Sequence, residues 1–211
     1  MCGIVGFIGE GDSDDLKRMC DTLVHRGPDQ EGMWIDLPNR VFLGHRRLSI
    51  IDLSTGNQPM QSSCGNYCVT FNGEIYNYQQ LRSELKNKGY VFITQNSDTE
   101  VLLNGYKEWG ENLPSKLNGM WSFAIFDKIK KQIFFSRDRF GKKPMFYTLQ
   151  NKTFVFASEL TAIKKIGHLQ FSKSTLSLKK YFAYGYIPAP STIYANIYKL
   201  PAGHNLLLQL N

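Results

Sequence analysis

Four short apolar runs follow one another in the middle of this chain, at residues 120–126, 132–136, 145–149 and 153–157, with short stretches rich in charged and polar residues between them. Apolar runs of this length, bounded by turn residues, read as buried strands. Similar runs stand at 3–8, 33–36, 40–44, 47–51, 67–71 and 91–94, with two late ones at 197–200 and 204–210. Helical patterns are fewer, at 12–23, 78–88, 98–109, 159–165 and 175–184. Leu16, Met19, Cys20 and Leu23 share one face of the first, which Asp12 or Ser13 would cap. Gly89 stops the second. Ser97 and Glu100 have capping-box spacing at the start of the third, whose apolar face is Val101, Leu102, Tyr106 and Trp109. Consecutive strands with grouped helices predict an α+β fold with mostly antiparallel sheets, not a doubly wound one. No Gly-x-Gly-x-x-Gly joins a strand to a helix, and Gly141-Lys142-Lys143 lacks the rest of a phosphate loop.

A chain of 211 residues suffices for one domain with a substantial core. No apolar run approaches the ~18 residues of a membrane span. The stretch Ile4-Val5-Gly6-Phe7-Ile8 has no basic residue before it and runs into Glu10, Asp12, Asp14 and Asp15, unlike a signal peptide. Myristoylation needs Gly where Cys2 stands. The expectation is a cytoplasmic protein without a membrane partner, whose Cys2, Cys20, Cys64 and Cys68 are free thiols. Cys64 and Cys68 lack the further ligands of a zinc site, so no metal is expected. The net charge of +7 is scattered in small lysine clusters, Lys142 and Lys143 among them, at turns and helix ends where solvated charge is ordinary. With no basic stripe interleaved with aromatics, no nucleic-acid partner is expected.

The chemistry gathers first at Met1-Cys2-Gly3. Removal of Met1, which a side chain as small as Cys permits, would leave a thiol and a free α-amine on one Cα. A thiol with an ordinary pKa of about 8.5 would then sit beside an amine of about 7.7–8.0, a nucleophile carrying its own base. The same residue also suits a small buried position at a strand start. Arg46 and Arg47 are adjacent on a predicted strand and point to opposite faces, so at most one looks into a pocket. A guanidinium there fits a carboxylate bidentately. Asn72-Gly73 ends the 67–71 strand in this reading. An amide beside a glycine N–H makes two adjacent donors for an oxyanion, although the dipeptide also favours a hairpin turn. Glu74 and Asp98 could hold an ammonium, while an acid in a first helical turn is also favoured by the helix dipole. Together the set suits an α-amino acid with a carbonyl in its side chain.

Seven motifs occur in a telling order: Met1-Cys2-Gly3-Ile4, His25-Arg26-Gly27-Pro28-Asp29, His45-Arg46-Arg47-Leu48-Ser49-Ile50, Asn72-Gly73-Glu74-Ile75-Tyr76-Asn77, Ser97-Asp98-Thr99-Glu100, Gly119-Met120-Trp121-Ser122-Phe123-Ala124 and Arg137-Asp138-Arg139-Phe140-Gly141-Lys142-Lys143-Pro144. The set resembles the glutaminase domain of glutamine-hydrolysing asparagine synthetases, class II glutamine amidotransferases of the N-terminal-nucleophile hydrolase superfamily. The resemblance spans nearly the whole chain, through Ala157-Ser158-Glu159 and Pro201-Ala202-Gly203. It implies a four-layer αββα sandwich over residues 1–211 and hydrolysis of glutamine to glutamate and ammonia. It implies Cys2 as nucleophile with its α-amine as base, and Asn72 with the Gly73 N–H as oxyanion hole. Arg47 would take the glutamine α-carboxylate, Glu74 and Asp98 its ammonium, and Ile50 would line the pocket. Arg26 and Asp29 are expected to order their loop. The resemblance implies no cofactor in this domain. ATP and magnesium would serve a C-terminal synthetase domain that makes asparagine from aspartate, and a homodimer is left open. Alternatives are a relative with a different carboxylate acceptor and a non-catalytic glutamine-binding module. Arg46 stands where family members often carry Glu, an expected surface change, and Trp121-Ser122 and Met145 are conservative core variants. A retained Met1 would tie up the α-amine in a peptide bond.

Overall fold

The computed structural model describes residues 2–48 and 56–210. Its elements run β1 (Gly3–Ile8), α1 (Ser13–Asp21), β2 (Gln30–Asp36), β3 (Val41–Arg47), β4 (Met60–Gln61), β5 (Tyr67–Ile75), α2 (Tyr78–Asn87) and α3 (Asp98–Trp109). A 3-10 turn (Gly110–Asn112) leads into α4 (Leu113–Lys116), then β6 (Gly119–Asp127), β7 (Gln132–Arg137), β8 (Phe146–Gln150) and β9 (Thr153–Ala157). The chain closes with α5 (Leu160–Ile163), α6 (Thr175–Tyr184), β10 (Tyr198–Lys199) and β11 (Asn205–Gln209).

Among the described residues the strands form two antiparallel sheets, ordered β10-β8-β9-β1-β3-β2 and β11-β7-β6-β5-β4. Side chains alternate across each strand, and the sequence exploits both faces. On β1, Val5 and Phe7 pack with Leu16, Met19 and Cys20 of α1 and with Ala162 and Ile163 of α5. Ile4 and Ile8 face the other way and meet Cys68, Ala124, Phe126 and Phe135 of the second sheet. The far face of that sheet, Val69, Phe71, Phe123 and Ile125, is covered by Leu81 and Leu85 of α2 and by Val101, Leu102 and Tyr106 of α3. Three apolar layers separate four structural ones, so the expected αββα sandwich is the fold. No helix among the described residues is long and apolar enough to cross a membrane.

The capping of α1 is reciprocal: Asp12 accepts from the N–H groups of Asp14 and Asp15, and the Asp15 side chain accepts from the Asp12 N–H. At α3 the expected box does not form, for the Ser97 side chain makes no cap bond. Glu100 instead accepts from the N–H groups of Ile93 and Thr94 at 2.7 and 2.8 Å. That same exchange removes the strand expected at 91–94. With two N–H groups satisfied by a carboxylate, the segment needs no ladder, and it leaves Val91 83% and Ile93 77% exposed. β3 runs without a break through Arg47, so the strand expected at 47–51 has no separate start, and residues 49–51 lie outside the described residues. The 8–9 hairpin turns at Asn151 and Lys152, both with positive φ (49° and 62°), the left-handed pair that suits the twist of the strands.

Candidate active site

The same alternation that fills the inter-sheet layer with apolar groups turns polar towards one end of it. Along β1 and β3 the inward positions pair Ile8 with Val41 and Ile4 with His45, and one further step brings Cys2 level with Arg47. Along β5 and β6 they pair Cys68 with Phe126, Asn72 with Ser122 and Glu74 with Met120. At this end a cavity of about 190 Å³ opens, lined by Cys2, Arg47, Asn72, Gly73, Glu74, Asp98 and Lys143 among others. Four segments far apart in the chain thus deliver every described residue of the expected site to one space, and a fifth adds Lys143. Ile50 lies outside the described residues.

Cys2 is half-buried, and its Sγ donates weakly to the Leu48 carbonyl at 3.7 Å. The loop after α1 holds it from behind. Arg26 Nε donates to the Cys2 carbonyl at 3.0 Å, and its Nη1 donates to Glu159 Oε1 at 3.0 Å. Asp29 N–H donates to the Arg47 carbonyl at 3.1 Å. Gly27 is required between them, because a Cβ there would stand 2.3 Å from the Arg46 carbonyl carbon. Arg26 and Asp29 therefore do order their loop, and they brace Cys2 and Arg47 by doing so. On the other side, Ile4 N–H donates to Ser158 Oγ at 3.0 Å, and Ser158 N–H donates to the Ile4 carbonyl.

The two arginines separate as the strand alternation requires. Arg47 is only 5% exposed and faces the cavity, with Nη1 donating to Gln30 Oε1 at 2.8 Å. Arg46 takes the opposite face and bridges Asp21 of α1 and Glu31 of β2 while donating to the Cys20 carbonyl. It is partly buried, with its side chain 11% exposed, and does not behave as the expected surface change. His45 is buried below Arg47 and donates from Nε2 to the Phe71 carbonyl at 3.0 Å. Burial pulls its pKa down to about 4, with the Arg47 charge acting in the same direction, so it stays neutral.

Asn72-Gly73 is no strand end and no hairpin turn, contrary to expectation. Both residues lie inside β5, opposite Ser122 and Trp121, and the strand continues to Ile75. Glycine is needed because a Cβ at 73 would come within 2.1 Å of the Met120 carbonyl oxygen and 2.6 Å of the Phe71 ring. Asn72 is 1% exposed, and its Nδ2 has no hydrogen-bond partner among the described residues. A buried amide donor left unpaired costs free energy, and here it belongs to a residue that lines the cavity together with Cys2. Asp98, at the start of α3, accepts from the Ile75 N–H at 3.1 Å. Burial raises its pKa to about 6 against the backbone donors of Ile75 and Thr99, and the neighbouring Glu74 charge adds to the rise.

One residue of the cavity escapes the sequence reading altogether. Lys143, assigned to a solvated turn, is 6% exposed and lines the cavity with Cys2. The overlooked signal is Asp138, a carboxylate followed by a glycine in a short loop. It accepts from the N–H groups of Phe140, Lys142, Lys143 and Trp121 and folds the loop inward.

The sequence family described as glutamine amidotransferase domain matches residues 1–211. The chain belongs to that family. This amidotransferase domain is 40% identical over 216 residues to asparagine synthetase [glutamine-hydrolyzing] 1 of Bacillus subtilis (strain 168), covering 99% of the domain and 34% of that relative. It is 40% identical over 235 residues to putative asparagine synthetase [glutamine-hydrolyzing] 2 of Methanocaldococcus jannaschii, covering 100% of the domain and 44% of the relative. The domain thus spans between a third and a half of these relatives' length. Among solved structures, glutamine phosphoribosylpyrophosphate amidotransferase from B. subtilis superposes with a TM-score of 0.66 at 24% identity, over 79% of the domain and 44% of that chain. A structure described as the allosteric regulatory enzyme of purine biosynthesis gives 0.69 at 22% identity, over 99% and 47%. These likenesses bear out the fold.

Proposed function

We propose that this domain hydrolyses glutamine to glutamate and ammonia, with Cys2 as the nucleophile. The observation that carries the reading is the buried, unpartnered Nδ2 of Asn72, a residue that lines the same cavity as Cys2. A donor kept dry and unpaired is suited to an oxygen that arrives with substrate and gains charge during reaction. The charges around it fit the rest of a free amino acid. Arg47 offers a fork for an α-carboxylate, and Glu74 and Asp98 offer anions to an α-ammonium.

In this mechanism the Cys2 thiol passes its proton to the α-amine of the same residue, set free by removal of Met1. The thiolate attacks the side-chain carbonyl carbon of glutamine. The oxyanion is held by Asn72 Nδ2 and the Gly73 N–H. The amine returns the proton to the departing nitrogen, the C–N bond breaks, and ammonia leaves. A water then attacks the γ-glutamyl thioester, the C–S bond breaks, and glutamate departs with the thiol restored. The 40% identity to synthetases supports a finer reading, in which the ammonia feeds asparagine formation from aspartate in a synthetase portion that uses ATP and magnesium. A cytoplasmic setting agrees with four unpaired thiols.

The test is to confirm Cys2 as the N-terminal residue by mass spectrometry and to follow glutamate and ammonia released from glutamine. Equal amounts of both are expected, and none from Cys2→Ala with unchanged thermal unfolding. Continued release by Cys2→Ala would overturn the assignment.

A further inference from the structure

We infer that Lys143 sets the charge state of the nucleophile: its ammonium, fixed in the cavity wall, favours the Cys2 sulfur as thiolate before glutamine binds. The inference rests on the glutaminase reading of this cavity and adds a residue to it.

Three observations carry it. Lys143 is buried and borders the same cavity as Cys2. Among the described residues no hydrogen bond or ion pair engages its Nζ, and an ammonium at the wall of a narrow cavity favours an anion placed in that cavity. Its backbone is fixed at both sides. The Lys143 N–H donates to Asp138 Oδ2 at 2.9 Å, and the Lys143 carbonyl accepts from Arg137 Nε at 2.7 Å. Arg137 is itself tied to the carbonyls of Gly141 and Leu200 at 2.8 and 2.5 Å, and Gly141 supplies the left-handed turn with φ of +64°. The loop is thus held so that the Lys143 side chain lines the cavity.

The anion it serves is identified by elimination among the charges that face it. Asp138 is occupied by four backbone N–H groups. Glu159, behind Cys2, is paired with Arg26 and His25. Glu74 and Asp98 fit a substrate ammonium in the glutaminase reading, and Asp98 accepts from the Ile75 N–H. Arg26 and Arg47 are cations, and His45 is neutral. The Cys2 sulfur remains. Burial lowers the Lys143 pKa while the Cys2 charge acts against that lowering, ahead of Asp138 and Glu74.

The test reads the thiol without glutamine. The rate of Cys2 alkylation by iodoacetamide is followed against pH by peptide mass spectrometry in the native protein, Lys143→Met and Lys143→Arg. An opposite charge at close range moves a pKa by about one unit or more. Lys143→Met is therefore expected to shift the alkylation midpoint upward by about one pH unit and to slow the reaction roughly tenfold below the native midpoint. Lys143→Arg is expected to restore most of it. Lys143→Gln serves if circular dichroism shows Lys143→Met unfolded. An unchanged midpoint in the folded, charge-free variant overturns the inference, even if glutamine is still hydrolysed. A shifted midpoint in a protein that releases no glutamate would leave it standing and overturn the glutaminase reading alone.

Discussion

The layer between the two sheets has two ends built on the same rule with opposite outcomes. At one end the inward positions are Ile8, Val41, Phe126, Phe135 and Phe154, all buried, with the Phe135 ring 5.2 Å from Phe154 and 5.0 Å from Phe156. At the other they are Cys2, Arg47, Asn72, Ser122 and Glu74. The first end is complementary to itself. The second is not: Asn72 Nδ2 and Ser122 Oγ are two of the four buried side-chain polar atoms without a partner among the described residues. Such atoms are few in folded proteins and call for an explanation where they cluster. The sandwich is thus stabilised by one end of its middle layer and spends part of that stability keeping the other end ready for a ligand.

Substitutions at the two ends should therefore separate stability from activity. Phe135→Ala leaves a large void in the packed end and should cost about 3–5 kcal/mol of stability in a denaturant titration, with glutamine turnover kept by the fraction still folded. Asn72→Ala should do the reverse. Loss of the oxyanion donor should lower kcat about 10²–10³-fold, while the melting temperature holds or rises because an unpaired buried donor is gone. A fall in stability as large as that of Phe135→Ala would erase the contrast between the ends.

A smaller effect follows from Asp98. Its folded pKa of about 6 lies above the ordinary carboxylate value of 3.8. Its contribution to stability is therefore fully present below the ordinary value and lost as pH rises through 6. Glutamine binding runs the other way, since the ammonium needs the ionised form. The KM for glutamine should rise about tenfold for each pH unit below 6, the slope of a single protonation. Asp98→Asn should weaken glutamine above pH 6, flatten that slope so that the two proteins converge at low pH, and melt a few degrees higher than the native protein at pH 7. An unchanged slope in the variant would move the titration to another group.

The two ends also differ in how far the sequence reveals them. The packed end is legible because apolar, β-branched and aromatic runs such as Gly3–Ile8 and Thr153–Ala157 have few other structures open to them. The residue types of the polar end were legible as chemistry, and the seven ordered motifs brought Cys2, Arg47, Asn72, Glu74 and Asp98 forward. Their surroundings were not. Asn72-Gly73 has the composition of a turn, and only the backbone of β6 lying against Gly73 holds it in a strand. Glu100 has the spacing of a cap, yet two N–H groups from the preceding loop claim its carboxylate. Lys143 sits in a run of surface-like charge, and its burial is decided by Asp138 and Arg137 folding the loop inward. For Gly73 the deciding partner is distant in the chain; for Glu100 and Lys143 it is near, but it acts through a side chain bonding loop backbone, which periodicity does not register.

The central claim is that the sulfur of Cys2 faces a glutamine-shaped space. The direct measurement is covalent trapping with a glutamine analogue that carries an electrophilic ketone in place of the carboxamide, located by peptide mass spectrometry. The exposed Cys64, whose thiol is held below its ordinary pKa chiefly by Ser62, serves as an internal control. One adduct on Cys2, prevented by excess glutamine, is the predicted result. Labelling confined to Cys64, or labelling of Cys2 that glutamine does not slow, would contradict it.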